Sequence, residues 1–233
     1  MSQPPDTAWP EDPAAPLHGF HGDRTSRPRV KAPGGLTIAL SREAGARGAV
    51  IARLVGERLG WPVYDQEQLE FLSQDPVARE NLLDDLSPEC VQWFERQMAE
   101  LHQPLKLEVN PALAQLIRLI VGLGARGEAV ILGRGAGYVL PRRSTLNVRA
   151  ISPLPERIAF MSQRLRLPAE EAARKVAEQD ARRMEFVRTQ LRQPATEIHH
   201  YDLLLNTSFL GEETCAELVV QAAKLRWEQL HSV

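Results

Sequence analysis

The chain has 233 residues, 43% of them apolar and 25% charged, with a formal net charge of −2. That composition is globular and leaves room for one sizeable α/β domain plus a tail. The near-neutral balance, without a block of like charge, excludes a broad basic face for nucleic acid but not a local arginine cluster that takes a small anion.

Residues 1–35 are rich in Pro, Gly and Asp and show no periodicity, which predicts a disordered tail. The tail lacks a basic segment followed by an apolar core, so it is not read as a secretory signal. Trp9 and Phe20 are lone aromatics in it, either bystanders or docking points for a partner. From Leu36 onward, short apolar runs alternate with helical stretches. The candidate strands are LTIAL (36–40), PVY (62–64), AVILG (129–133), LNVRAI (146–151) and DLLLN (202–206). Between them lie faces with helical spacing, such as Val50, Ile51, Leu54, Val55 and Leu59, then Leu113, Leu116, Ile117, Ile120 and Val121, then Cys215, Leu218, Val219 and Ala222. Strands separated by helices predict right-handed crossovers and a parallel sheet covered on both faces. The almost uninterrupted apolar character of the strands agrees with that burial.

Residues 66–127 contain no convincing strand and predict a helical insertion, one wall of a cleft over the sheet. Helix starts are marked by Ser87 followed by Pro88, and by NPAL at 110–113. The longest apolar stretch, LAQLIRLIVGLG, carries Arg118 and is too short to span a bilayer. Cys90 and Cys215 have no C-x-x-C partner, which suits a reducing compartment and makes neither a disulfide framework nor a zinc site. A soluble, cytoplasmic protein without a membrane partner is expected; oligomeric state is left open.

Three stretches carry candidate chemistry. SREAGARGAVIA (41–52) joins the first strand to a helix, where backbone N–H groups and the helix dipole favour an anion. Gly45 and Gly48 let backbone approach a phosphate closely; the same glycines also suit an ordinary turn. The second stretch, VILGRGAGYVLPRR (130–143), places Gly133, Arg134 and Gly135 just beyond a strand, on the edge where α/β sheets bind ligands. There Arg134 either reaches a phosphate or faces solvent in a turn. The third, EQDARRMEFVRTQLR (178–192), holds Arg182, Arg183, Arg188 and Arg192 between Asp180 and Glu185. It reads either as a solvated face of i,i+4 pairs or as a lid whose arginines close on transferring phosphates. Asp65 is either a helix N-cap or a group acting on the nucleophile or on a Mg²⁺ water. HHYD (199–202) lacks a metal-ligand pattern, and Trp93, Phe94 and Trp227 sit at packing positions.

In order and spacing, LTIALSREAGARGAVIARLVGERLGWPVYDQEQL, AVILGRGAGYVL and DARRMEFVRTQL…HHYDLLLNTSFLG resemble the cytidylate kinase-like family of P-loop proteins, over about residues 36–226. The resemblance implies a nucleoside-monophosphate-kinase fold: a five-stranded parallel sheet with helices on both faces, a helical acceptor-binding insertion (about 66–127) and a lid (about 178–198). It also implies ATP, Mg²⁺ with no ligands identified in this chain, and transfer to a nucleoside monophosphate resembling CMP or dCMP, or to another small phosphorylated acceptor. Such transfer depends mostly on positioning and charge neutralisation. Carried over by position, the loop Ser41, Arg42, Glu43, Gly45, Ala46, Arg47, Gly48, Ala49 and Val50 holds the ATP phosphates. Gly133, Arg134, Gly135, Asp180 and Arg188 meet the acceptor or transferring group, and Arg47, Arg134, Asp65 and Arg183 are the candidate catalytic residues. The chain departs from authentic cytidylate kinases where their loop reads Gly-x-Gly-Lys-Gly/Ser-Thr and this one reads GARGAV, without the lysine or the Mg²⁺-binding hydroxyl. Arg47 or a lid arginine is the expected replacement. The alternative is a catalytically weak or inactive nucleotide-binding module.

Overall fold

Five short apolar runs form one parallel sheet, described by a computed structural model of residues 35–84, 86–194 and 197–231. The Pro-rich segment with Trp9 and Phe20 lies outside the described residues. In chain order the elements are β1 (Thr37–Arg42), α1 (Gly48–Leu59), β2 (Val63–Tyr64), α2 (Gln66–Gln74), α3 (Pro76–Asp84), α4 (Pro88–His102), α5 (Pro111–Arg126), β3 (Ala129–Leu132), α6 (Ala136–Val139), β4 (Thr145–Ile151), α7 (Leu154–Leu165), α8 (Ala169–Glu185), β5 (Leu203–Asn206) and α9 (Thr207–His231). The strand order is β2-β3-β1-β4-β5. The five predicted strands are all present, with ends shifted by a residue or two. The largest shift is at β1, which runs past Leu40. Ser41 and Arg42, read in the sequence as the start of a loop, are strand residues opposite Arg149 and Ala150.

Alternation along the strands divides the interior in two. Ile38, Leu40, Val130, Leu132, Leu146 and Val148 face a core made with α1 and α9. Ala39 and Ile131 face the other side, against α4 and α5, with Trp93, Phe94, Ile117, Ile120 and Leu123. Both faces are dry, which is why the strands read as continuous apolar runs. Helix α5 is the most deeply buried wall. Truncating Ile120, which has no exposed surface, to alanine costs about 2–5 kcal/mol through the cavity left behind.

The segment after β2 forms α2 to α5, started by local chemistry. The carboxylate of Asp65 accepts the Gln68 N–H at 2.9 Å, and Gln68 Oε1 accepts the Asp65 N–H at 3.0 Å, a reciprocal cap. Ser87 Oγ and Asn110 Oδ1 accept the N–H groups of Cys90 and Leu113, each ahead of a proline in the first turn. After α8 the helix passes into a π-turn, Phe186–Gln190. Among the described residues no helix is long and apolar enough to cross a membrane.

Candidate functional site

All strands point the same way, so their carboxyl ends share one edge of the sheet, and a cleft of about 1020 Å³ opens there. Two glycine loops frame it. The first joins β1 to α1. Gly45 has φ 82°, and a Cβ there would stand 2.6 Å from the Arg157 carbonyl oxygen, so any side chain would strain the loop and push that carbonyl aside. Beneath this loop lies an ionic knot. Asp180 Oδ1 accepts the Ala44 N–H at 2.7 Å, and Asp180 Oδ2 accepts from Arg157 Nη1 at 2.5 Å. Arg157 also donates to the carbonyls of Ala44 and Ser152 and lies 3.4 Å from the Glu43 carboxylate. Glu43 in turn accepts the Ser152 N–H at 3.1 Å. With its side chain only 11% exposed, Arg157 makes charge-assisted contacts that water competes for poorly.

The second loop follows β3. Gly133, Arg134 and Gly135 have φ of 87°, 50° and 67°, three successive left-handed residues. A non-glycine residue in that region stores strain, which the surrounding contacts must offset. Arg134 turns inward, pairs with Glu70 of α2 and lies 5.2 Å above the Phe186 ring. Its Nε is buried without a hydrogen-bond partner, and burial pulls its pKa down.

Other arginines converge on the same space. Arg42 ends β1, and its pKa is lowered to about 10, first by burial and then by Arg183, with Asp65 opposing and Arg134 adding. Arg183 donates to the Arg42 carbonyl at 3.3 Å; burial depresses its pKa and Asp180 works against that. Arg149, on β4, donates to the Tyr201 hydroxyl at 3.1 Å. Beyond it is an aromatic corner where Tyr138 stacks on His200 at 3.8 Å and His200 meets Tyr201 edge-on. Burial, together with Tyr201, pushes the Tyr138 phenol up, and burial lowers His200. Among the described residues six arginines line the cleft, Arg42, Arg134, Arg149, Arg164, Arg182 and Arg183, against four acids, Glu43, Asp65, Glu67 and Asp180. Three of those acids already accept backbone N–H groups. The cleft is therefore positive and suited to a polyanion.

The sequence model of the cytidylate kinase-like family matches residues 37–209. The chain belongs to the cytidylate kinase-like family. Among solved structures, an uncharacterized protein from Eubacterium ventriosum is similar over 82% of this chain and 99% of its own, with 16% identity and a TM-score of 0.65. A shikimate kinase from Acinetobacter baumannii, solved with shikimate, aligns over 82% of this chain and 93% of its own at 13% identity and a TM-score of 0.44. TT1252 from Thermus thermophilus aligns over 82% and 98% at 19% identity and a TM-score of 0.45. No curated protein matches. The first of these similarities shows the shared fold.

The structure brings Ser41, Arg42, Glu43, Ala49, Asp65, Gly133, Arg134, Gly135, Asp180 and Arg183 to the cleft. Gly45, Ala46, Gly48 and Val50 shape the loop and helix behind it. Arg47 turns away: its guanidinium pairs with Glu212 at 3.5 Å and covers the Phe160 ring at 5.0 Å. Arg188 pairs with Glu185 on an exposed surface. The sequence does not single out Arg149, Arg157 or Tyr138, and it offers His200 and Tyr201 only within HHYD (199–202), a stretch without a metal-ligand pattern. Arg149 did leave a signal, a charged residue inside a largely apolar strand. The others are joined to the cleft only through tertiary contacts.

Proposed function

We propose that this cleft binds the phosphates of ATP and supports transfer of the terminal phosphoryl group to a small phosphorylated acceptor, a nucleoside monophosphate such as CMP or dCMP being the first class to test. The supporting observation is the convergence of Arg42, Arg134, Arg149 and Arg183 on the carboxyl edge of the sheet between two glycine loops. ATP would supply the phosphoryl group. The residues would orient it and neutralise charge that shifts onto the oxygens in transit. Arg134 would contact the acceptor phosphate or the group in transit, and Arg183, on α8, would close over it as part of a lid spanning about 178–198. The aromatic corner formed by Tyr138, His200 and Tyr201 offers a flat surface for a ring.

The donor set does not make a protein-held Mg²⁺ site. Ala49 and Val50 stand where an authentic loop has its hydroxyl, and Asp65, Asp180 and Glu43 each spend an oxygen on a backbone N–H. Among the described residues no three His, Cys, Asp or Glu side chains gather as ligands. Charge neutralisation therefore falls to the arginines. Purified protein incubated with ATP, Mg²⁺ and a panel of monophosphates is expected to form a phosphorylated product, and transfer to none of them despite measurable nucleotide binding would defeat the catalytic reading.

Two observations favour a second reading, a nucleotide-binding module without turnover. The Ala44 N–H of the phosphate loop is already taken by Asp180, and the loop has no lysine. This reading predicts thermal stabilisation by ATP of equal size with and without Mg²⁺, and no product.

A further inference from the structure

A phosphate loop normally carries its lysine at the place Gly48 occupies, reaching the terminal phosphates as a point charge. The geometry explains why no side chain stands there. Gly48 does not adopt a left-handed φ, so glycine is not needed for the backbone. It is needed for space: a Cβ on Gly48 would stand 2.7 Å from Arg42 Cβ and 3.0 Å from Arg42 Cγ. The aliphatic stem of Arg42 fills the volume into which any side chain at position 48 would grow. Its guanidinium continues across the cleft floor to Gly133, where a Cβ would collide with Arg42 Nη1. Glycines from two different loops thus make room for one arginine.

The surroundings of that arginine point to an anion. Arg134 has Glu70 and Arg183 has Asp180, but among the described residues no carboxylate stands within ion-pair distance of the Arg42 guanidinium. Strand pairing with β4 fixes its backbone opposite Ala150, and its carbonyl accepts from Arg183. Asp65 acts on the guanidinium only from beyond ion-pair distance. A half-buried, rigidly mounted guanidinium without a contacting carboxylate among the described residues has a strong electrostatic incentive to take an anion from a ligand.

We infer that Arg42 supplies, from the end of β1, the charge that the loop lacks at position 48, by contacting the terminal phosphates of the nucleotide donor. The inference rests on the phosphoryl-transfer reading above and assigns the cation within it. A guanidinium can take two non-bridging oxygens side by side, where an ammonium acts as a point charge. With its pKa held near 10, Arg42 remains protonated at neutral pH, so the contact needs no proton transfer.

The test is a transposition. ATP in EDTA is titrated calorimetrically into the wild-type protein, Arg42→Ala, Gly48→Lys and the double variant Arg42→Ala/Gly48→Lys, each checked for folding by thermal melting. Arg42→Ala is expected to weaken ATP binding at least tenfold. Gly48→Lys alone should lower the melting temperature, because the new side chain meets the Arg42 stem. The double variant should melt above Gly48→Lys and recover at least half of the lost binding free energy, since removing Arg42 reopens the space for a lysine. Arg42→Ala that binds ATP like the wild type would overturn the inference and leave the kinase reading standing. Loss without recovery in a folded double variant would also overturn it, by reducing Arg42 to a structural part of the floor. A wild-type protein that binds no ATP would overturn both readings together.

Discussion

The two glycine loops are alike in sequence and opposite in outcome. Each follows a central strand, and each places an arginine in the left-handed region beside a glycine, Arg47 at φ 56° and Arg134 at φ 50°. Arg47 leaves the cleft for Glu212 on α9 and Phe160 on α7. Arg134 enters it, toward Glu70 on α2 and Phe186 beyond α8. Each cation thus finds the same kind of nest, one carboxylate and one aromatic face. What differs is the side of the loop on which the nest stands. A Gly-Arg pattern specifies a backbone shape, and the direction of its charge is set by elements far away in the chain.

The sharpest way to break this comparison is to remove the two arginines in turn. Arg134→Ala should weaken ATP binding by roughly 30-fold, the loss of about 2 kcal/mol typical of a hydrogen bond to a charged group. ATP binding equal to wild type by calorimetry would take Arg134 off the group in transit and leave it the acceptor phosphate alone. Gly45→Ala is expected to lower stability by about 1–3 kcal/mol, because its φ of 82° strains a side chain and the Arg157 carbonyl blocks it. Denaturant unfolding with an unchanged midpoint would contradict that account. Arg47→Ala should cost only about 0.5–1 kcal/mol of stability, for a partly exposed ion pair and cation–π contact, with ATP affinity preserved. A tenfold loss of affinity there would make the two loops functionally equivalent after all.

The smallest effect concerns the aromatic corner. Burial lowers the His200 pKa below its ordinary value, so the unfolded chain takes up the proton more readily than the folded one. His200 thus favours the folded state fully at high pH and withdraws that stability as pH falls through about 6.5. The wild type should lose more melting temperature between pH 8 and pH 5 than His200→Phe, which keeps a ring against Tyr138. Parallel pH profiles for the two proteins would remove His200 from the account.

The sheet was legible because burial on both faces writes itself into five apolar runs such as AVIL at 129–132. The caps at Ser87 and Asn110 were legible because capping chemistry is local. The sequence leaves Asp65 open between cap and chemistry, and the structure shows one carboxylate oxygen in the reciprocal cap with Gln68 while the residue stays on the cleft. The arginine segment split: Arg188 lies on a solvated surface, as that pattern usually does, whereas Arg183 turns inward. Neighbours three and four apart cannot decide that division, because it is set by where α8 meets the end of β1. Arg157 was invisible for the same reason. Its partners Glu43, Ala44 and Asp180 come from two other parts of the chain.

The bond from the Ala44 N–H to Asp180 joins residues 136 positions apart. On a ribosome that adds roughly 5–20 residues each second, the carboxylate emerges about 7–27 s after the amide it will hold. Strands β1, β3 and β4 can align during that interval, while the turn between β1 and α1 still lacks the acceptor that fixes it. The three central strands therefore all emerge on the nascent chain before the acceptor that completes the phosphate loop, so that loop is among the last parts of the site to be fixed.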